Sequence, residues 1–176
     1  ELLWNFIENN LKLMKERNVE PNLGTLNACL HTISQMGVNR ARDNALQVIA
    51  EFKRIGIEPS LASYMYLIQI FCRDRNQVSH VLIDIMNEIE GKEFQIQDIR
   101  DTHFFVTAME ICRHHLFSTD LAKRVNALLH TGENYNLIGD SYKESNYYRY
   151  YFSLLIQTEP LETFMNDTYF QLIPHV

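Results

Sequence analysis

Residues that interrupt regular structure are scarce in this sequence, which holds 6 glycines and 4 prolines among 176 residues. An all-β fold relies on frequent turns rich in these residues, so their scarcity disfavours β structure and favours long helices. No run of about 18 apolar residues occurs, and the sequence therefore predicts no membrane-spanning helix. The chain begins with glutamate inside a helical pattern, and we therefore expect it to be part of a longer protein.

Cysteines are also few, and their spacing does not pair them. Cys29, Cys72 and Cys112 lie about 40 residues apart. An odd count without short Cys–Cys spacings favours neither a disulfide framework nor a zinc site. We interpret these cysteines as small buried apolar side chains in a reducing compartment.

The sequence has no excess of positive charge, since 16 basic residues stand against 22 acidic ones. Residues 1–60 carry seven of each sign, residues 61–130 seven basic and nine acidic, and residues 131–176 two basic and six acidic. Binding to phosphates depends on lysine and arginine that displace counterions. The composition therefore disfavours autonomous nucleic-acid binding and leaves one local candidate, a stripe of Arg40, Arg42, Lys53 and Arg54.

Sets of residues with catalytic spacing are missing as well. The sequence contains no glycine-rich phosphate loop, no HExxH motif and no nucleophile elbow. His103, Cys112, His114 and His115 form the one cluster of ligand types, but adjacent histidines on a helix point about 100° apart. Cys112 and His115 could share a face, and we interpret the cluster as packing or solvated side chains. The sequence predicts no enzyme, no metal, no cofactor and no small-molecule substrate.

One sequence motif is present twice. Val19-Glu20-Pro21-Asn22 and Ile57-Glu58-Pro59-Ser60 each follow an apolar-striped helix and precede a new one, and the two prolines are 38 residues apart. Self-similarity at a period of about 20 to 50 residues indicates a stacked-repeat architecture.

This motif predicts a helix, a tight turn and a second helix. Proline ends the preceding helix, Gly56 stands where a C-terminal cap needs positive φ, and Asn22 and Ser60 can cap the next helix. We therefore predict an all-α fold, an α-solenoid of stacked antiparallel helical hairpins. The predicted helices cover residues 23–36, 41–55, 61–73, 76–91, 101–114 and 121–130, after a first helix through Met14.

The C-terminal part differs from the repeats. Turn-rich residues 132–144 predict a loop, and residues 145–176 predict a helical cap that is aromatic on nearly all sides. Tyr147, Tyr148, Tyr151 and Phe152 either close the stack or form an interface for a protein partner. The predicted organisation is a half repeat at 1–22, repeats at about 23–60 and 61–97, a degenerate repeat at 98–131, the loop and the cap.

The repeated stretches resemble the pentatricopeptide repeat family. There, a repeat ends in methionine-lysine-x-x-glycine-isoleucine-x-proline-aspartate, and the next helix opens as valine-threonine-tyrosine-asparagine-x-leucine-isoleucine. The similar stretches here are Ile57-Glu58-Pro59-Ser60, Ser63-Tyr64-Met65-Tyr66-Leu67-Ile68, Thr25-Leu26-Asn27 and the helix from Asp43 to Phe52. The resemblance covers about residues 11–86.

The resemblance implies candidate RNA-facing residues. In the family, the fifth residue of the first helix and the last residue of the repeat read one base, and the second residue sandwiches it. By position, Asn27 and Ser60 form a reading pair suited to a pyrimidine such as cytosine, while Gly24 at the sandwiching position offers no side chain. In the next unit, Ala62 stands at the sandwiching position, and Met65 at the reading position lacks a hydrogen-bond donor.

The sequence as a whole also resembles that of the family member in the mitochondrial ribosomal small subunit. That resemblance implies a non-enzymatic protein of the mitochondrial matrix that supports mRNA association and translation, with this segment mainly packing and docking. The implied partners are small-subunit proteins, rRNA and mRNA. Two alternatives stay open, a free-standing single-stranded RNA-binding protein of organelle RNA metabolism and a protein-binding helical-repeat scaffold.

Overall fold

The computed structural model of the chain describes residues 2–35, 40–72, 75–92, 94, 96, 99–131 and 141–169, and these ranges contain helices and no strand. The predicted break at Gly37, most of the predicted loop and the last seven residues lie outside them. The helices are α1 Leu2–Glu16, α2 Leu23–Ser34, α3 Ala41–Arg54, α4 Leu61–Phe71, α5 Arg75–Ile89, α6 Ile99–Ile111, α7 Thr119–Leu129, α8 Ser141–Thr158 and α9 Leu161–Thr163. The predicted all-α class is confirmed.

The chain divides into two compact units, Glu1–Asp74 and Arg75–Val176. In the first unit α2 forms a hairpin with α3 and lies alongside α4, which also contacts α3. The first helices of two successive predicted hairpins are therefore neighbours, as in a stack of repeats. The buried side chains of this packing include Leu26, Leu30, Ile33, Val48, Phe52 and Ile68.

The second proline-marked turn is a Schellman motif. Gly56 has φ of 90°, Ile57 N–H donates to the Phe52 carbonyl at 2.9 Å, and Gly56 N–H donates to the Lys53 carbonyl at 3.0 Å. A left-handed residue after the helix satisfies carbonyl groups that would otherwise lack partners. The predicted cap at Gly56 is confirmed.

The first turn has the same hydrogen bonds without a glycine. Asn18 has φ of 57°, Val19 N–H donates to the Met14 carbonyl at 2.8 Å, and Asn18 N–H donates to the Lys15 carbonyl at 3.2 Å. Asparagine tolerates the left-handed region better than other residues with a side chain. The two copies of the motif therefore fold into the same turn.

Both helices that follow the turns begin with a capping box. Asn22 Oδ1 accepts from Thr25 N–H at 3.0 Å, and Thr25 Oγ1 accepts from Asn22 N–H at 3.1 Å. Ser60 and Ser63 repeat this exchange at 3.3 and 3.0 Å. The caps predicted at Asn22 and Ser60 are confirmed, and the hydroxyl at the third helical residue completes each of them.

The second unit packs α6 against α8, α7 and α5. α6 runs into a π-helical segment, Cys112–Leu116, which ends at Phe117 with φ of 51°. The predicted helix from Asp101 to His114 is helical throughout, but its last turn is π-helical and therefore wider than an α-helical turn, which was not predicted. Fully buried side chains of this unit include Leu82, Met86, Phe104, Phe105 and Tyr147.

The C-terminal helix α8 begins at Ser141, four residues before the predicted start of the cap. Residues 141–146 contain a single apolar or aromatic residue, so no apolar period marks this start in the sequence. After α8, the short helix α9 continues into a second π-helical segment, Phe164–Tyr169. In the described ranges, no helix is both long enough and apolar enough to cross a bilayer.

The cysteine prediction is confirmed at two positions and wrong at the third. Cys29 and Cys112 are buried, whereas Cys72 is exposed. Cys72 follows the last residue of α4, where its N–H donates to the Gln69 carbonyl. Position at a helix end, which the spacing of cysteines does not reveal, accounts for its exposure.

Gly56→Ala is expected to lower the free energy of unfolding by about 1–2 kcal/mol, because a β-carbon disfavours the left-handed conformation. A β-carbon there would meet no atom within 4 Å, so the cost lies in the backbone alone. Asn18→Gly, at the matching position of the first turn, should leave stability unchanged or slightly higher. Urea denaturation measures both, and equal stabilities of Gly56→Ala and the wild type would contradict this account of the turn.

Candidate nucleic-acid interface

The two side chains predicted to read one base lie next to each other. Asn27, on the second turn of α2, is 3.4 Å from Ser60 measured from Nδ2 to Oγ, and both are half-buried. They are 33 residues apart in sequence and meet because α4 lies alongside α2. The stacking of hairpins therefore brings the predicted pair together.

A third side chain joins this pair. Ser63 Oγ donates to Asn27 Oδ1 at 2.5 Å, and Ser63 is fully buried. No role was predicted for Ser63 from the sequence. A polar residue at the third position of a helix after a serine cap was the available signal, because that pattern predicts a capping box.

One turn along the same helices, two rings are in contact. The centroids of the His31 and Tyr66 rings are 5.4 Å apart with a 36° tilt. His31 follows Asn27 by four residues and Tyr66 follows Ser63 by three, so both pairs lie on the same side of α2 and α4. His31 is exposed and Tyr66 half-buried, which adds an aromatic surface beside the polar pair.

The remaining RNA-facing candidates are less able to contact a base. Gly24 is exposed, and a β-carbon there would lie 3.2 Å from Asn22 Oδ1, so the cap leaves little room for a stacking side chain. Ala62 and Met65 are only 3% and 7% exposed. Their burial disfavours the RNA-facing role predicted for them, because a base could reach them only by displacing the residues that cover them.

The candidate basic stripe has partners within the protein. Arg54 pairs with Glu51 at 3.0 Å on an exposed surface. The Arg42 guanidinium lies 5.7 Å from the centroid of the Phe71 ring. The Arg42 contact joins α3 to α4. The exposed pair of Arg54 with Glu51 lies within α3 and contributes about 0–1 kcal/mol.

Four aromatic residues of α8 form one continuous cluster: Tyr147, Tyr148, Tyr151 and Phe152. Ring centroids are 5.0 Å apart for Tyr147 and Tyr148, 6.5 Å for Tyr147 and Tyr151, and 5.7 Å for Tyr148 and Phe152. Phe164 adds an edge contact with Phe152 at 5.8 Å. Tyr147, Tyr148 and Tyr151 are at most 6% exposed, and only Phe152 is half-buried. This placement agrees with the predicted cap and disfavours a partner interface built on the three tyrosines.

Burial also determines the chemistry of these tyrosines. The Tyr147 hydroxyl donates to Asn126 Oδ1 on α7 at 2.9 Å. Burial raises the pKa of Tyr147 well above its ordinary value and that of Tyr151 to about 12. Both hydroxyls therefore stay protonated at neutral pH, and the hydrogen bond of the Tyr147 hydroxyl joins α8 to α7.

Charged side chains tie α7 to its neighbours in the second unit. The Arg124 guanidinium binds both carboxylate oxygens of Glu90 at 3.0 Å and the amide oxygen of Asn87 at 2.8 Å. The hydrogen bond from Arg124 lowers the pKa of Glu90. Lys123 pairs with Glu159. Two of the basic residues in this acidic unit are thus engaged by its own acids.

The histidine and cysteine cluster has packing contacts. In the part of the chain that the structure describes, no group of three or more histidine, cysteine or acidic side chains is arranged to hold a metal ion. The His114 ring meets the Tyr150 ring edge-on at 5.4 Å. Burial raises the pKa of the Cys112 thiol to about 12, which keeps it protonated and unreactive at neutral pH.

An open apolar groove of about 180 Å³ lies between α1 and α2. Phe6 on its rim is 61% exposed, and Ile7 below it is buried. The groove is lined by Phe6, Ile7, Leu11, Met14, Ala28 and Cys29, among others. α1 thus has an apolar flank that the first unit leaves uncovered.

Comparison with known proteins matches residues 14–74 to the pentatricopeptide repeat domain. The chain is 54% identical to small ribosomal subunit protein mS39 of Drosophila melanogaster, over all of this chain and 27% of that protein. It is 43% identical to mS39 of Danio rerio and 40% to mS39 of Mus musculus, in each case over 98% of this chain. The chain spans about a quarter of the length of these relatives. The predicted resemblance is confirmed, and such repeats build a helical solenoid.

Proposed function

We propose that this chain, whose residues 14–74 belong to the pentatricopeptide repeat family, is a segment of a mitochondrial small ribosomal subunit protein. The observation that carries the proposal is its similarity over the whole chain to relatives named mS39, at 54% identity in one of them. The protein works in the mitochondrial matrix, where it supports mRNA association and translation. This segment contributes mainly by packing and by docking to small-subunit proteins and rRNA.

The segment is not catalytic. Its most strongly displaced pKa values belong to Cys112, Tyr147 and Tyr151, which are buried in apolar packing. Catalytic groups need pKa values displaced toward the working pH and access to a substrate. Here burial moves the pKa values away from neutrality, which supports a structural role.

Charge supports docking more than autonomous RNA binding. The first unit has eight basic and eight acidic residues, and the second has eight basic and fourteen acidic. An acidic surface repels the phosphates of RNA, and neither unit supplies the excess of lysine and arginine that counterion release requires. Most contacts of the second unit are therefore with proteins.

A direct contact with single-stranded RNA is the second candidate function, and one observation favours it. Asn27 and Ser60 are 3.4 Å apart, half-buried, and beside the rings of His31 and Tyr66. Polar atoms that can pair with a base edge and rings that can stack on a base are what single-stranded RNA recognition uses. We propose that this site contacts mRNA held by the rest of the protein.

We also propose that α1 is the second helix of a repeat whose first helix precedes it, so that residues 1–22 are a half repeat. In the first unit α2 contacts both α3 and α4. In this arrangement a first helix contacts its own second helix and the first helix of the next repeat. If α1 is a second helix, the first helix before it would therefore contact α1 and α2. These are the two helices that line the open groove. The contacts of α2 with α3 and α4 support the repeat at about 23–60, and the matching contacts of α6 with α7 and α8 support the degenerate repeat at 98–131. The repeat at about 61–97 and the cap from 145 stay predictions.

Phe6→Ala tests the half repeat, because the ring is 61% exposed in this chain. In isolated residues 1–176 we expect the free energy of unfolding to change by less than about 0.5 kcal/mol. In the full-length protein, where a preceding helix covers the ring, the loss should be about 2–4 kcal/mol. Urea denaturation of both proteins makes the comparison, and equal small losses would mean that nothing occupies the groove.

Docking and RNA binding are tested together. We expect the full-length protein to sediment with the small ribosomal subunit, since docking is its main contact. Isolated residues 1–176 should bind single-stranded oligocytidine only with dissociation constants above about 1 μM at physiological salt, because they lack basic excess. Fluorescence anisotropy measures the second quantity. Sub-micromolar binding, or a full-length protein that stays unbound in the gradient, would overturn the proposed division of roles.

A further inference from the structure

We infer that Ser63, the buried third residue of α4, fixes which edge of the Asn27 amide is offered to an RNA base. The inference rests on the RNA contact proposed above and adds a positioning residue to it. Ser63 does not itself reach the base, because its side chain is fully buried. It acts through the hydrogen bond that it donates to Asn27.

The distance between the two side chains identifies the atom of Asn27 that faces Ser63. Hydrogen bonds between two oxygens are commonly about 2.5–3.0 Å long, whereas those from nitrogen to oxygen are about 2.7–3.2 Å. The 2.5 Å contact of Ser63 Oγ is therefore with Oδ1 and not with Nδ2. Ser63 Oγ also accepts the Ser60 N–H at 3.0 Å and lies 3.2 Å from Ser60 Oγ, where either hydroxyl could donate. Its much shorter contact is the one with Asn27, so we assign its proton to that hydrogen bond.

With Oδ1 held by Ser63, the amide nitrogen lies toward Ser60. Nδ2 is 3.4 Å from Ser60 Oγ, a long and weak hydrogen bond. An asparagine amide has two N–H donors, and among the described residues the Asn27 side chain has hydrogen bonds with Ser60 and Ser63 only. One N–H of Nδ2 is therefore available to a ligand.

A fixed N–H donor distinguishes the two pyrimidines. Cytosine presents an acceptor at N3, whereas uracil presents an N3–H donor at the same place on its edge. An amide that offers N–H therefore favours cytosine, and the reversed amide would favour uracil. Without the Ser63 hydroxyl, the Asn27 amide can rotate by about 180° and offer either its N–H or its carbonyl to the base. The preference of this repeat for cytosine over uracil is then lost.

The chain contains a matched control for the other role of Ser63. Ser63 also belongs to the capping box of α4, so Ser63→Ala weakens that cap as well. Thr25 holds the same position in the capping box of α2, at 3.1 Å from Asn22 N, and has no hydrogen bond with Asn27. Thr25→Ala removes an equivalent cap, and Ser63→Thr keeps the hydroxyl that orients Asn27.

The experiment uses the full-length protein and single-stranded oligocytidine in which one uridine is moved stepwise along the strand. Asn27→Ala first identifies the position whose cytosine preference depends on this repeat. At that position Ser63→Ala should reduce the ratio of affinities for cytosine and uridine by about three- to tenfold, the range that one neutral hydrogen bond supplies. Ser63→Thr and Thr25→Ala should keep the wild-type ratio.

The outcomes separate this inference from the proposed function. Unchanged discrimination in Ser63→Ala at a position that depends on Asn27 overturns the role of Ser63 and leaves the RNA contact standing. An equal loss in Thr25→Ala assigns the effect to helix capping and also overturns it. If Asn27→Ala changes the ratio of affinities for cytosine and uridine at no position of the strand, both the RNA contact and the inference are wrong. Circular dichroism of each variant verifies that the helices are retained.

Discussion

The hydroxyl network at the start of α4 is the interaction on which the first unit depends. Ser60 and Ser63 cap the helix by exchanging hydrogen bonds with each other's backbone N–H. The same two hydroxyls bind the Asn27 amide on α2. A local rule for beginning a helix thus also sets where the neighbouring first helix lies. Because the network is half-buried to fully buried, losing one of its hydrogen bonds is costly, which makes the arrangement specific.

This arrangement fits the proposed role, in which the segment is mainly structural and retains one place suited to RNA. The capping network positions Asn27 and Ser60, the His31–Tyr66 rings lie one turn away, and Ala62 and Met65 are buried. In the second unit the tyrosines of α8 are used in its own packing, and Arg124 and Lys123 bind acids of the same unit. A protein that docks by many such segments can hold mRNA without any one segment binding it tightly.

The turns and caps could be predicted from the sequence because they follow local rules, in which proline, glycine, asparagine and serine each have one defined role. The pairing of Asn27 with Ser60 came from the family resemblance, since no local rule joins residues 33 positions apart. The burial of Ala62 and Met65 was missed, although the apolar run of α4 is typical of a helix covered on all sides. The π-helical segment after Ile111 has no sequence signal that we recognise, and the start of α8 lies in polar residues without an apolar period.

A double-mutant cycle on Asn27 and Ser63 tests the central claim most directly, because it measures the free energy that couples α2 to the cap of α4. Urea denaturation of Asn27→Ala, Ser63→Ala and the double variant supplies the four stabilities. The account predicts a coupling free energy of about 1 kcal/mol or more, as expected for side chains that share a hydrogen bond. Additive effects of the two substitutions, with a coupling near zero, would contradict it.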